Sequence, residues 1–140
     1  RMEPSSDPGA GIVTPDAAWA TLLHRRGWER VSSLSWSPCG RFLAAGYHSS
    51  DRPIIWDAAT GEGTPLEACV PFASVGVSAG GVRAVRWSPS GGMLVVCFGV
   101  GLLAIYDAKT WRFRRYRADG PVQAACFSPN SRYLLVAVNA

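Results

Sequence analysis

Histidine is scarce in this chain of 140 residues: it stands only at positions 24 and 48. Neither imidazole has a carboxylate or a cysteine at a spacing that would build a nucleophile triad or a metal site. The four cysteines, at 39, 69, 97 and 126, form no CxxC pair. They are expected as small buried hydrophobes in a reducing compartment, not as zinc ligands or disulfides. Long apolar runs are missing too. The most apolar stretch, MLVVCFGVGLLAIY at 93–106, has 14 residues, short of the roughly 20 that a membrane helix needs. Gly99 and Gly101 put a turn in its middle, so it reads as a buried hairpin, and direct membrane insertion is not expected. The opening RMEPSSDPG has no apolar core of a signal peptide. The glycines of FGVGL lack the helix start that a phosphate loop requires. No nucleophile is singled out by its surroundings. Catalysis, metal, cofactor and small-molecule substrate are therefore all expected to be absent.

What the chain does have is self-similarity. WSPCG at 36–40 returns as WSPSG at 87–91 and as FSPNS at 127–131. Upstream of each aromatic lie two apolar positions: Val31 and Leu34 before Trp36, Val82 and Val85 before Trp87, Val122 and Ala125 before Phe127. Downstream comes an apolar run, at 42–45, 93–98 and 133–138. Serine, then a proline (Pro38, Pro89, Pro129), then glycine at the fourth position is the residue order of a type I turn, and Asn130 suits the third position of the last copy. Each copy thus reads as strand, turn, strand. Two copies continue alike, into IIWD at 54–57 and AIYD at 104–107. Trp56 and Tyr106 follow the first aromatic by 20 and 19 residues. Asp57 and Asp107 end equivalent strands, which suggests a repeated structural role in the following turn. A fourth strand is expected at LEACVPF, 66–72, and at WRFRRYR, 111–117.

Four strands per unit with an aromatic-Asp ending are the pattern of a propeller blade. The copies are spaced by 51 and 40 residues, the second within the usual range of roughly 40–45. The surplus in the first lies in the Gly-, Ala- and Ser-rich link at 73–81. Residues 30–140 resemble the WD-repeat family. The resemblance implies an all-β fold of about two and a half four-stranded blades, a piece of a longer propeller whose remaining blades would complete it. The expected division is 1–30, an N-terminal loop with a short helix or the outer strand of a preceding blade; 31–81, a first blade with a long link; 82–121, a second blade; and 122–140, half of a third. Trp36, Trp87 and Phe127 are expected to be buried between blades. One feature of the family is missing. Its Gly-His pair before each first strand is replaced by RGWERV, AGGV and ADGPV, and Asp51 sits near the place of the family's tetrad aspartate without a histidine to pair with.

Within that family the irregular residues resemble those of a nucleoporin propeller: Cys69-Val70-Pro71, Trp111 after Asp107, Arg115, and Gln123 with Cys126. This implies a non-enzymatic scaffold in nuclear pore structure and nucleocytoplasmic transport, at the nuclear envelope, held by nucleoporins including a transmembrane one. The alternative is a cytosolic adaptor or a substrate receptor of a ubiquitin ligase. Such receptors often carry Trp-Asp-x-Arg; the endings here are WDAA and YDAK.

Before the repeats, 4–11 reads as a loop. TPDAAWATLLHRRG at 14–27 carries helix signals, with Thr14 as N-cap, Pro15 at the first position and Gly27 just past the end. The other reading makes 19–25 an outer strand. The net charge is +4, from 13 arginines and one lysine against ten acids. Arg112, Arg114, Arg115 and Arg117 interleave with Trp111, Phe113 and Tyr116. Arginine and aromatics together can take phosphates and bases or a protein partner. On an edge strand they can equally keep strands from pairing with strangers. Of the two binding readings a protein partner is preferred over nucleic acid.

Overall fold

A computed structural model describes residues 10–13, 22–25, 30–67 and 80–139. Every described element is a strand. In chain order they are β1 (Ala10–Val13), β2 (Leu22–Arg25), β3 (Val31–Trp36), β4 (Phe42–Tyr47), β5 (Ser50–Asp57), β6 (Gly63–Pro65), β7 (Val82–Trp87), β8 (Met93–Phe98), β9 (Leu102–Asp107), β10 (Phe113–Arg117), β11 (Val122–Phe127) and β12 (Leu134–Val138). Strands β3-β4-β5-β6 form one antiparallel sheet and β7-β8-β9-β10 a second, while β11 and β12 form the first half of a third. These are propeller blades.

The sheets repeat in detail. Trp36 pairs with Leu43 and Leu43 with Trp56. Trp87 pairs with Leu94, Leu94 with Tyr106 and Tyr106 with Phe113. Each first strand also carries an irregularity at the same place, after Val31, Val82 and Val122. This lets Val31, Leu34 and Trp36 share one face although their spacing is not strictly two.

The second blade holds most of the core because both of its faces are covered. Leu94, Val95, Val96, Cys97 and Phe98 are completely buried. A strand buried on both sides reads as an unbroken apolar run, which is why β8 shows no alternation. Toward the first blade, Val85, Trp87, Leu94, Phe98 and Tyr106 pack on Ala44, Ile55 and Leu66. Toward the third, Ala84, Val95, Cys97 and Leu103 pack on Val122 and Ala125. Each fully buried aliphatic or aromatic side chain contributes about 1.5–3 kcal/mol, so the chain's stability is concentrated in this middle sheet.

Three expectations need correction. The helix over 14–27 does not form where it can be seen: Leu22–Arg25 is β2, paired with β1 from Val13↔Leu22 to Ala10↔Arg25. The remainder of that segment lies outside the described residues. A helix this short has too little intrinsic stability to compete with a hydrogen-bonded partner strand, whatever its caps. The loop expected at 4–11 likewise gives way to β1 at Ala10. The fourth strand of the first blade is Gly63–Pro65 instead of 66–72. The turn after Asp57 is so tight that the chain is back in register at once, with Gly63 opposite Trp56. Residues 68–72 and most of the 73–81 link lie outside the described residues.

Candidate functional site

The Ser-Pro turns share one construction. In the first, the Ser37 N–H donates to the Phe42 carbonyl at 2.8 Å and the Gly40 N–H to the Ser37 carbonyl at 2.9 Å. The Ser37 hydroxyl then accepts from the Phe42 N–H at 3.0 Å. Ser88 with Met93 and Ser128 with Tyr133 repeat this hydroxyl bond at the same distance. The fourth turn position is left-handed in all three, with φ of 74° at Gly40, 75° at Gly91 and 60° at Ser131. The last copy therefore holds serine in a conformation that favours glycine. The Ser131 hydroxyl accepts from the Ser90 N–H of the neighbouring blade at 2.9 Å.

The aspartate turns form a second repeated set at the same end of the sheets. Asp57 Oδ1 accepts from the Ala59 N–H at 2.9 Å, and Asp107 Oδ1 from the N–H groups of Lys109 and Thr110 at 2.8 and 3.2 Å. Both carboxyls lie below the ordinary carboxylate range. For Asp57 the main cause is the Arg41 guanidinium, 3.0 Å away, and then the Ala59 N–H. For Asp107 it is the two backbone N–H groups. Each turn closes with a bond back to the aspartate carbonyl, from Gly61 at 2.7 Å and from Trp111 at 2.7 Å. Gly61 has φ of 79°, and Trp111, in the same place, has φ of 57°. Trp111 is thus no strand residue. Aligning DAATG with DAKTW shows that it occupies a glycine position.

The junction between the first two blades is fastened without a Gly-His pair. Asp51 Oδ1 accepts the Gly81 N–H at 2.9 Å, so a carboxylate of the first blade holds the backbone that leads into the second. Gly81 has φ of +72°, and a Cβ there would run into the His48 carbonyl. The free edge of β7 is also covered: its Val85 and Trp87 N–H groups donate to Ser33 and Ser35 hydroxyls of β3, each at 3.1 Å. Sequence reading overlooked these two serines. Their signal was alternation, which puts them on the face opposite Leu34 and Trp36.

The equivalent aromatics are not equally buried. Trp87 is 9% exposed, but Trp36 is 54% exposed, with Leu34 at 54% and Val31 at 51%. Phe127 is partly buried. Among the described residues Trp36 lacks the cover expected of it: its face, shared with Leu43, Tyr47, Ile54 and Trp56, points away from the second blade. Trp56 is buried, its indole N–H directed at the Tyr47 hydroxyl at 3.4 Å. Tyr106 is buried and donates to the Glu67 carbonyl of the first blade at 3.1 Å. Pro38, Pro89 and Pro129 are exposed at their turns.

Arg112 precedes β10, and Arg114, Arg115 and Arg117 lie on it, all exposed. Strand pairing sets Arg114 beside Ile105, and Phe113 and Arg115 beside Tyr106 and Ala104, so the basic residues do not form a single row. Trp111 and Phe113 pack on the core. The cysteines also depart from expectation. Cys97 is buried and its thiol is pushed up to about 11, but Cys39 and Cys126 are exposed. Cys39 follows a proline inside a turn, where no sheet can cover it. Its thiol is shifted downward, mainly by the Ser37 hydroxyl 3.3 Å away. Cys69 lies outside the described residues. No group of metal ligands occurs among the described residues. No described helix is long and apolar enough to cross a membrane.

Sheets of four strands packed face on face, with Ser-Pro turns and aromatic-Asp endings, define the class: these are WD-repeat β-propeller blades, a fold that generally mediates protein–protein interaction. The sequence family described as "WD domain, G-beta repeat" matches residues 20–57, which end on Trp56-Asp57. One protein to which the chain is similar is Aladin of Arabidopsis thaliana. The two are 31% identical over 111 residues, which is 77% of this chain and 23% of Aladin. The chain thus spans about a quarter of the length of that relative.

Proposed function

We propose that this chain is part of an Aladin-like nucleoporin propeller, which acts as a scaffold in nuclear pore structure and nucleocytoplasmic transport. The observation that carries the reading is the 31% identity to Aladin across 77% of the chain. A propeller template alone would not require the irregular residues Trp111 and Cys126 that the nucleoporin resemblance rests on. On this reading the protein sits at the nuclear envelope, docked on other nucleoporins, and a transmembrane nucleoporin supplies the membrane attachment. It performs no catalysis. Arg112, Arg114, Arg115 and Arg117 form part of the docking surface, because exposed arginines beside aromatics suit a protein interface.

Imaging the tagged full-length protein tests this. The expected result is a nuclear rim, with nucleoporins co-purifying. Charge reversal of Arg112 and Arg114 is expected to weaken the rim signal with little change in melting temperature, as exposed substitutions usually leave stability intact. A diffuse cytosolic signal with cullin components would replace the pore reading with that of a ligase receptor. Rim staining that survives the reversal would discard only the arginine surface.

A further inference from the structure

Between the first and second blades lies a cleft of about 650 Å³, within the range of pockets that hold a ligand. Its walls are the Ser-Pro turns and aspartate turns of both blades. Phe42, Ile55, Leu66, Trp87 and Trp111 give it an apolar lining. Three carboxylates also line it, Asp57, Glu62 and Glu67, and no lysine, arginine or histidine does. In a chain of net charge +4, this is a locally acidic site. Asp57 is neutralised by Arg41. Glu62 and Glu67 have no such partner among the described residues.

Two features mark the cleft as more than a packing gap. Trp111 holds a left-handed backbone, φ 57°, at the position where the first blade has Gly61. A bulky residue keeps such a conformation only when its surroundings enforce it, and such residues gather at ligand sites. Here it sets the indole at the cleft wall, edge-on to Trp87 with centroids 6.0 Å apart. The Trp87 indole N–H, in turn, is buried and has no acceptor. A buried donor left without a partner is rare enough to call for an explanation.

We propose that this cleft docks an extended peptide segment of a protein partner, with an aromatic or aliphatic side chain inserted between Phe42 and Trp111 and a flanking lysine or arginine facing Glu62 and Glu67. The apolar lining fits the inserted side chain and the carboxylates fit the cation. The same carboxylates repel a phosphate backbone, so the occupant is a peptide and not a nucleic acid. The inference rests on the interaction-scaffold reading and does not depend on the pore.

Cys39 lines the mouth and is exposed, so it reports occupancy. Full-length protein would be treated with iodoacetamide beside each of three probes: the peptide Lys-Phe-Lys-Phe-Lys, its glutamate counterpart Glu-Phe-Glu-Phe-Glu, and oligo(dT). Alkylation at each cysteine is then read by mass spectrometry. The lysine peptide is expected to protect Cys39 and leave Cys126 unchanged. The double variant Glu62→Gln with Glu67→Gln, both exposed and so expected to fold, should weaken that protection about tenfold, equivalent to roughly 1.4 kcal/mol. Equal protection by the glutamate peptide or by oligo(dT), no protection by the lysine peptide, or a double variant that binds like the parent overturns the proposal. Rim imaging is a separate readout: a protein that reaches the rim but leaves Cys39 unprotected loses the cleft proposal and keeps the pore reading. A diffuse protein that binds the lysine peptide does the reverse.

Discussion

Trp36 and Trp87 occupy the same place in two copies of one repeat, yet one is 54% exposed and the other 9%. Both stand at the end of a first strand, opposite a leucine, before a Ser-Pro turn. The difference is the neighbour. Trp87 has the first blade against it, and the described residues place nothing comparable against Trp36. A blade fixes the direction of its side chains, but the next blade decides whether they are buried.

The largest effect that could break this comparison comes from truncating the two rings. Trp87→Ala is expected to cost about 3–5 kcal/mol, the usual cost of emptying a buried aromatic site. Trp36→Ala should cost much less if its face stays open. Thermal melts of the two full-length variants decide it. An equal loss would show that another part of the protein covers Trp36.

Next in size are the glycines. Gly81→Ala forces a Cβ onto the His48 carbonyl in a left-handed backbone. It should lose more than the roughly 1–2 kcal/mol of the left-handed conformation alone. Gly40→Ala has the same kind of φ but nothing near its Cβ, so it should lose that amount only. Matching denaturant midpoints for the two would remove the junction argument.

Asp51→Ala is expected to cost about 1–3 kcal/mol, because it leaves the buried Gly81 N–H without its acceptor. Native-state hydrogen exchange at Gly81 would read this directly. Unchanged exchange would mean that the carboxylate does not fasten the two blades.

The smallest effect concerns acid. Asp57 and Asp107 both have lowered carboxyl pKa values in the folded chain. Their contribution is therefore complete above the ordinary value near 3.8 and is lost as pH falls through the lowered folded values. Asp57→Ala and Asp107→Ala should each flatten the melting curve against pH in that window and leave its shape between pH 5 and 7 alone. Salt should weaken only the Asp57 contribution, since Arg41 is its main partner and the backbone N–H groups of Lys109 and Thr110 hold Asp107. Equal salt sensitivity would contradict that division.

Much of this architecture was legible in the residues. Proline after serine presets the turn angle, and alternating apolar residues specify a face, so β3, β4, β7, β8, β11 and the aromatic-Asp strands could be placed to within a few residues. The glycines of FGVGL marked the turn between β8 and β9. The short strand β6 was misplaced because Gly-Thr-Pro carries no strand preference and is set only by pairing with Ile54 to Trp56. The helix signals at 14–27 were real local preferences, and at Leu22–Arg25 they gave way to a partner strand. The cleft could not be read at all. Its lining is drawn from four turns and their flanking strands, spread along the chain from Ser37 to Trp111.

Sequence by itself determined the repeat, the turns and the face to which each strand residue belongs. These follow from φ restrictions and a period of two, both local properties of a chain. Tertiary structure decided which faces are covered, that Trp111 takes a left-handed glycine position, and that Asp51 accepts the Gly81 N–H across the junction of two blades. Those outcomes depend on atoms brought together from distant blades, and a local pattern carries no information about how far apart in space two blades come to rest.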